Sequence, residues 1–147
     1  MDKLTQGLTK LFASGKDLSL LALRAILAYG FFGPAMKKVQ NIDSIIAWFK
    51  HSLHLPFADI QAYLAAGTEF LGFILLAFGL ATRFISVPLS IVMIVAITLV
   101  HPDAFAASQN GFEIPLYYLI MLLVLITHGA GKYSLDETFV KKYFGSK

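Results

Sequence analysis

Glu69 is the residue of this chain best placed to do chemistry. It is the one carboxylate in the apolar run AAGTEFLGFILLAFGLATR, residues 65–83. A charge near the centre of a bilayer costs about 2.5–3.5 kcal/mol on insertion scales, so such a group must face protein or a wet cavity and either pair or hold a proton. Arg24, within the apolar stretch Leu18 to Met36, is the candidate partner. Either it snorkels to nearby headgroups, or it turns inward and neutralises Glu69. Counting residues from the span ends puts the two Cα atoms about 9 Å apart in depth, at roughly 1.5 Å per residue. Two long side chains close much of that gap. A purely structural pair would hold helices in register, whereas a functional pair would position a small molecule or move its protons.

Other groups with chemical capacity surround this pair. Tyr29, Gly72, Glu113, Tyr117 and His128 complete a candidate ligand pocket, opening outward between helices with Glu69 at its floor. His51 and His54 stand at i, i+3 and, with His101, form a candidate metal set, with Met36 and Glu113 at the same end. Imidazole and thioether suit copper, although two histidines on a polar helix also read as solvated interface residues and a methionine as core. Cysteine is absent, which excludes disulfides, thiolate metal sites and dithiol exchange by the chain itself. Redox chemistry would therefore be borrowed from a cofactor, a metal or a partner. The chain contains no nucleotide-binding glycine loop, no nucleophile with an obvious base and no haem-attachment motif.

These residues need elements to hold them, and composition says of what kind. The 147 residues are 57% hydrophobic and 14% charged, against roughly 25% charged in an ordinary soluble domain. Mean hydropathy is +0.70. The chain reads as all-α, a single integral membrane domain over 1–147 in the form of a four-helix bundle with amphipathic interfacial helices. Spans are predicted at 18–36, ending at Gly33-Pro34, and at 57–81, 84–100 and 113–130, with Pro88 and Pro115 in first turns where a missing N–H is tolerated. Thr68, Gly72 and Gly79 form a strip of small residues that admits a close neighbour.

Leu4, Leu8, Leu11 and Phe12 make an amphipathic N-terminal helix within 1–17. Residues 42–54 make an outer interfacial helix with Ile42, Ile45, Ile46, Phe49 and Leu53 on one stripe. Ser134 and Glu137 open a third, 134–144, with a capping box. A secretory signal peptide does not fit, since the apolar region starts only at Leu18.

Lysine and arginine set the orientation. Eight lie with the termini and the Arg83 turn, three (Lys37, Lys38 and Lys50) lie at the opposite end, and Arg24 is within a span. The positive-inside rule places both termini in the cytoplasm of a bacterial-type inner (plasma) membrane. A net charge of +3 then reports topology, and nucleic acid is not an expected partner. The lipid bilayer is, together with a protein partner or a second copy of the chain.

Three stretches carry a family resemblance: GAGKYSLD (Gly129 to Asp136), TEFLGFILLAFGLATR (Thr68 to Arg83) and Arg24 to Lys37. Together, over about residues 18–136, they resemble the DoxX family of small four-helix membrane proteins. AYGFFGPAMKK, YLAAGTEFLG and NGFEIPLYYLIML are similar to the subgroup found beside ribosomally made, copper-binding modified peptides. Phe32-Gly33 stands where many members have a His-Gly pair, so no role of that histidine transfers. The resemblance implies an association with redox chemistry: the family takes its name from a thiosulfate:quinone oxidoreductase, and other members are linked to tolerance of catechols and quinones. The functional expectations are a redox-associated subunit with a quinone-like molecule in the pocket, a membrane partner in handling a copper-binding peptide, or a scaffold or carrier without chemistry.

Overall fold

The structure, a computed structural model, describes residues 3–144. The side chains of residues 3–11, 13, 140, 141, 143 and 144 lie outside the description, so the N-terminal stripe at Leu4, Leu8 and Leu11 and much of the stripe in the tail are not described. Helices α1 (Lys3–Gln40), α2 (Ile42–His51), α3 (Ala58–Phe78), α4 (Thr82–Val95), α5 (Glu113–His128) and α6 (Leu135–Phe144) follow in order, with no strand among the described residues. Three stretches, Ser14–Gln40, Ala58–Phe78 and Thr82–Val100, are long and apolar enough to cross a membrane, and Glu113–His128 is a shorter apolar helix. The chain is a helical membrane protein.

Two boundaries differ from expectation, both through helix continuity. No break separates an N-terminal surface helix from the first span, because Gly15 is an isolated glycine. One glycine inside a helix costs only about 1 kcal/mol, and nothing nearby stops propagation. Pro34 likewise fails to end α1, which continues to Gln40. A proline inside a helix deletes one N–H, here the donor for the Gly30 carbonyl, but need not halt the flanking turns. Pro88 is also interior, since α4 starts at Thr82. Beyond Val95 the helix widens into a π-helical turn, Ala96–Val100, closed by His101 N–H donating to the Ala96 carbonyl at 3.0 Å.

Helix α1 packs along α3, α3 along α4, α4 along α5, and α5 returns to α1. Leu20, Leu27, Phe31, Leu76, Leu89, Leu122 and Leu125 from these helices meet in one buried core. Outward faces keep large apolar residues such as Ile60, Leu71 and Ile120 exposed, as lipid contact requires. Lipid tails supply no hydrophobic force between helices, so close packing must do so. The buried stripe of α3 shows it: Ala58, Ala62, Ala66, Glu69, Gly72 and Leu76. At Gly72 an added Cβ would come within 2.8 Å of the Leu89 methyls, so glycine is what admits α4 there. The expected strip is not continuous, however. Thr68 faces a cavity, and Gly79 caps α3 in the left-handed region at φ +65°. Helix α2 lies over the start of α3, where Phe49, Ala58 and Ala62 form a separate small core.

Candidate ligand site

Glu69 faces the protein interior and is 2% exposed. Both its oxygens accept from the Lys38 ammonium, Oε1 at 3.0 Å and Oε2 at 2.7 Å. Arg24 is not its partner. That guanidinium is buried at the other end of the helices, where Nη1 donates to the Leu76 carbonyl at 3.4 Å and Nη2 to the Tyr133 carbonyl.

The reason is side-chain direction, which counting Cα depths ignores. Helical side chains lean toward their own N-terminus, and α1 and α3 run antiparallel. Lys38 on α1 therefore leans down toward Glu69, and Glu69 on α3 leans up toward Lys38. Arg24 leans away from both, toward Gly79 and the Gly129–Ser134 loop. There it helps hold a structural joint. Asp136 accepts the Ala81 and Thr82 N–H groups at 2.7 and 3.0 Å, capping α4 from across the chain, and its own N–H returns to the Gly79 carbonyl at 3.0 Å. The GAGKYSLD stretch thus ties the end of α5 to the α3–α4 turn.

The Lys38–Glu69 pair lies in the wall of a cavity of about 660 Å³, within the 300–1,000 Å³ typical of small-molecule sites. Its walls are mainly apolar: Phe31, Trp48, Phe49, Leu64, Ile91 and Met93 among them. Pro34, Pro88 and Pro115 all line it, as do Val95 at the end of α4 and the π-helical turn at Ala96 and Val100. Prolines and π turns loosen the regular backbone ladder, and π turns are frequent at functional sites. Tyr118 projects against Gly30, where even a methyl group would collide with the phenol ring and hydroxyl. The glycine makes room for that hydroxyl in the cavity.

Of the residues expected in the pocket, Glu69 lines this cavity, and so does His101 from the metal set. Gly72 is buried one turn below, under Leu89. Tyr29 points away and is 84% exposed. Tyr117 is also on the outer face, donating its hydroxyl to Glu113 Oε1 at 2.9 Å, while Glu113 Oε2 accepts the Ala107 N–H at 2.9 Å. Glu113 and Tyr117 thus fasten the 101–112 loop to α5. His128 sits at the far end, with Nδ1 3.2 Å from the Val124 carbonyl. His51 and His54 are exposed near the end of α2. His101 Nδ1 is 2.7 Å from the Asn110 carbonyl. Among the described residues, no three His, Asp or Glu side chains converge on a point that could hold a metal.

Lys38, Tyr118 and Gly30 were not foreseen. A signal for Tyr118 existed, since Pro115, Tyr118, Leu122 and Leu125 fall at i, i+3, i+7 and i+10, one helical face, whereas Tyr117 does not share it.

The DoxX family profile matches residues 19–102, which include most of the lining of this cavity and both members of the ion pair. The chain belongs to the DoxX family. An uncharacterized protein of Haemophilus influenzae is 39% identical over 143 residues, spanning 94% of this chain and 93% of that one. A Bacillus subtilis protein named "Putative oxidoreductase CatD" is 29% identical over 126 residues, 86% of this chain and 90% of its own. No solved structure matches the chain.

Proposed function

We propose that this DoxX protein is a redox-associated membrane subunit that binds a quinone-like or phenolic molecule in the cavity beside Lys38 and Glu69. The observation that carries the reading is a two-pronged ion pair, its carboxylate buried and its ammonium partly so, set in the wall of an otherwise apolar cavity of ligand size. An aromatic ring with oxygen substituents suits such a site. The ring fills the space between Phe31, Phe49 and Ile91, the Lys38 ammonium offers N–H donors to one ring oxygen, and the Tyr118 hydroxyl offers a second polar contact. Glu69 holds the ammonium in place and supplies an exchangeable proton position next to it. A quinone would contribute the electron-accepting carbonyls, which no side chain of a cysteine-free chain provides. The oxidoreductase name of the Bacillus relative agrees with this class of chemistry.

The same reading takes α1, α3, α4 and α5 as four spans of a bundle in the inner membrane. The lysine and arginine bias then puts both termini in the cytoplasm, so the cavity, walled by α2 and the 101–112 loop, belongs to the outer half. The copper reading fits the residues less well, because His51, His54 and His101 do not come together around a common point.

Titration of the purified protein with a short-chain ubiquinone analogue tests the proposal. Saturable binding is expected for the wild type, with loss in Gly30→Leu, which drives a side chain into the Tyr118 position. Absence of binding by the folded wild type would overturn it.

A further inference from the structure

A second cavity, of about 1010 Å³, lies at the other end of the helices, walled by the 128–139 segment, the start of α4 and the residues of α1 around Asp17. It shares no lining residue with the first. Lys16, Arg83 and Lys132 are exposed on its walls, and among the described residues none of them has a carboxylate within ion-pair distance. Two wall carboxylates are already engaged by backbone. Asp17 Oδ1 accepts the Lys132 N–H at 3.1 Å, and Asp136 caps α4 through both oxygens. The third, Glu137, belongs to the first turn of α6.

Arg83 is held in position by donating to the Thr127 carbonyl at 3.3 Å. It lies against Gly129, where a Cβ would come within 3.0 Å of Nε and where φ is +77°. A side chain at that position would push the guanidinium off the wall. Arg83 is in the first turn of α4, Lys132 follows α5, and Lys16 lies near the start of the apolar stretch Ser14–Gln40, all at headgroup depth for helices that cross a bilayer. Phe84, 82% exposed, and Phe139 line the cavity beside them. Basic pockets between helices at this depth recognise phosphate-bearing headgroups.

We propose that this cavity seats the phosphate of an anionic glycerophospholipid, with Arg83, Lys132 and Lys16 as its ligands and Phe84 against its chains. The proposal is independent of the ligand class assigned to the first cavity.

The experiment measures thermal unfolding of delipidated protein reconstituted with phosphatidylglycerol, with phosphatidylcholine, or with inorganic phosphate in detergent, together with mass spectrometry of retained lipid. Phosphatidylglycerol is expected to raise the midpoint and phosphatidylcholine not to. Arg83→Gln/Lys132→Gln should lower phosphatidylglycerol retention by roughly tenfold or more, since each basic residue near an anionic headgroup contributes measurably. Lys50→Gln, at the opposite end, should retain lipid as the wild type does. Should the double variant lose its helical circular dichroism, Lys16→Gln at an exposed position gives the same readout. Equal midpoints in the two lipids, or undiminished retention in the folded variants, would overturn the proposal. An equal shift from inorganic phosphate alone would overturn the lipid as occupant and assign a free phosphate instead.

Discussion

Replacing Lys38 by methionine is the sharpest test of the site. At contact distances of 2.7 and 3.0 Å, an effective dielectric near 20 gives an attraction of roughly 5–6 kcal/mol. Desolvation of the two ions cancels several kcal/mol each, so the intact pair is close to neutral for stability. Breaking it is not. Lys38→Met leaves Glu69, whose side chain is 3% exposed, as an uncompensated buried charge, and about 3–5 kcal/mol of stability should be lost. Glu69→Leu should cost less, because the Lys38 side chain is 18% exposed and can swing toward water. The double variant Lys38→Met/Glu69→Leu should return to within about 1.5 kcal/mol of the wild type, the usual outcome of replacing a buried pair by apolar groups.

Unfolding in mixed micelles under increasing denaturing detergent measures all three, and binding of the quinone analogue is measured on the same samples. The double variant should fold and fail to bind. The matching cycle with Arg24→Met and Glu69→Leu should be additive within about 0.5 kcal/mol, as for groups that share no contact. A coupling of Glu69 to Arg24 larger than its coupling to Lys38 would refute the geometry described above. A double variant that folds and still binds would refute the role given to the pair in ligand binding.

Asp136→Ala removes both acceptors from the start of α4 and a negative charge that acts on the buried Arg24; a loss of about 2–4 kcal/mol is expected, from a missing cap and an uncompensated cation, with faster hydrogen exchange at Ala81 and Thr82 as the local readout. Gly72→Ala should cost about 1–3 kcal/mol by overpacking against Leu89, and it should cost less in a Leu89→Ala background than in the wild type, since the two sites touch; unfolding midpoints decide. His101→Ala should cost about 1 kcal/mol through its lost bond to the Asn110 carbonyl and loosen the 101–112 loop, measured by proteolysis of that loop, with no change in metal content.

What could be read from residues alone follows a physical line. Burial of Glu69 was legible, because a lone carboxylate in a run of that length has few tolerable places to go, and Gly72 three residues on marked the close-packed face. An inward turn of Arg24, which is buried, was legible as one of two readings, the other being headgroup snorkelling. The pairing of Arg24 with Glu69 was unsound, because depth along a helix is set by side-chain lean as much as by Cα position. An antiparallel neighbour doubles that error: Lys38 and Glu69 lean together while Arg24 leans away. Lys38 looked like a topological lysine at a helix end only because Pro34 was expected to stop α1, and a continuous helix carries Lys38 over the cavity. The tyrosines differ for a related reason. One residue is a rotation of about 100° on a helix, so Tyr117 and Tyr118 occupy different faces, and only the buried stripe through Leu122 and Leu125 separates the one that braces a loop from the one that enters the cavity. The GAGKYSLD stretch carried a family signature without showing its work, since its capping of α4 by Asp136 spans more than fifty residues of sequence. That contact explains why the stretch and Arg24 belong together: both secure the end of the helices away from the ligand cavity, which leaves the Lys38 end to hold the site.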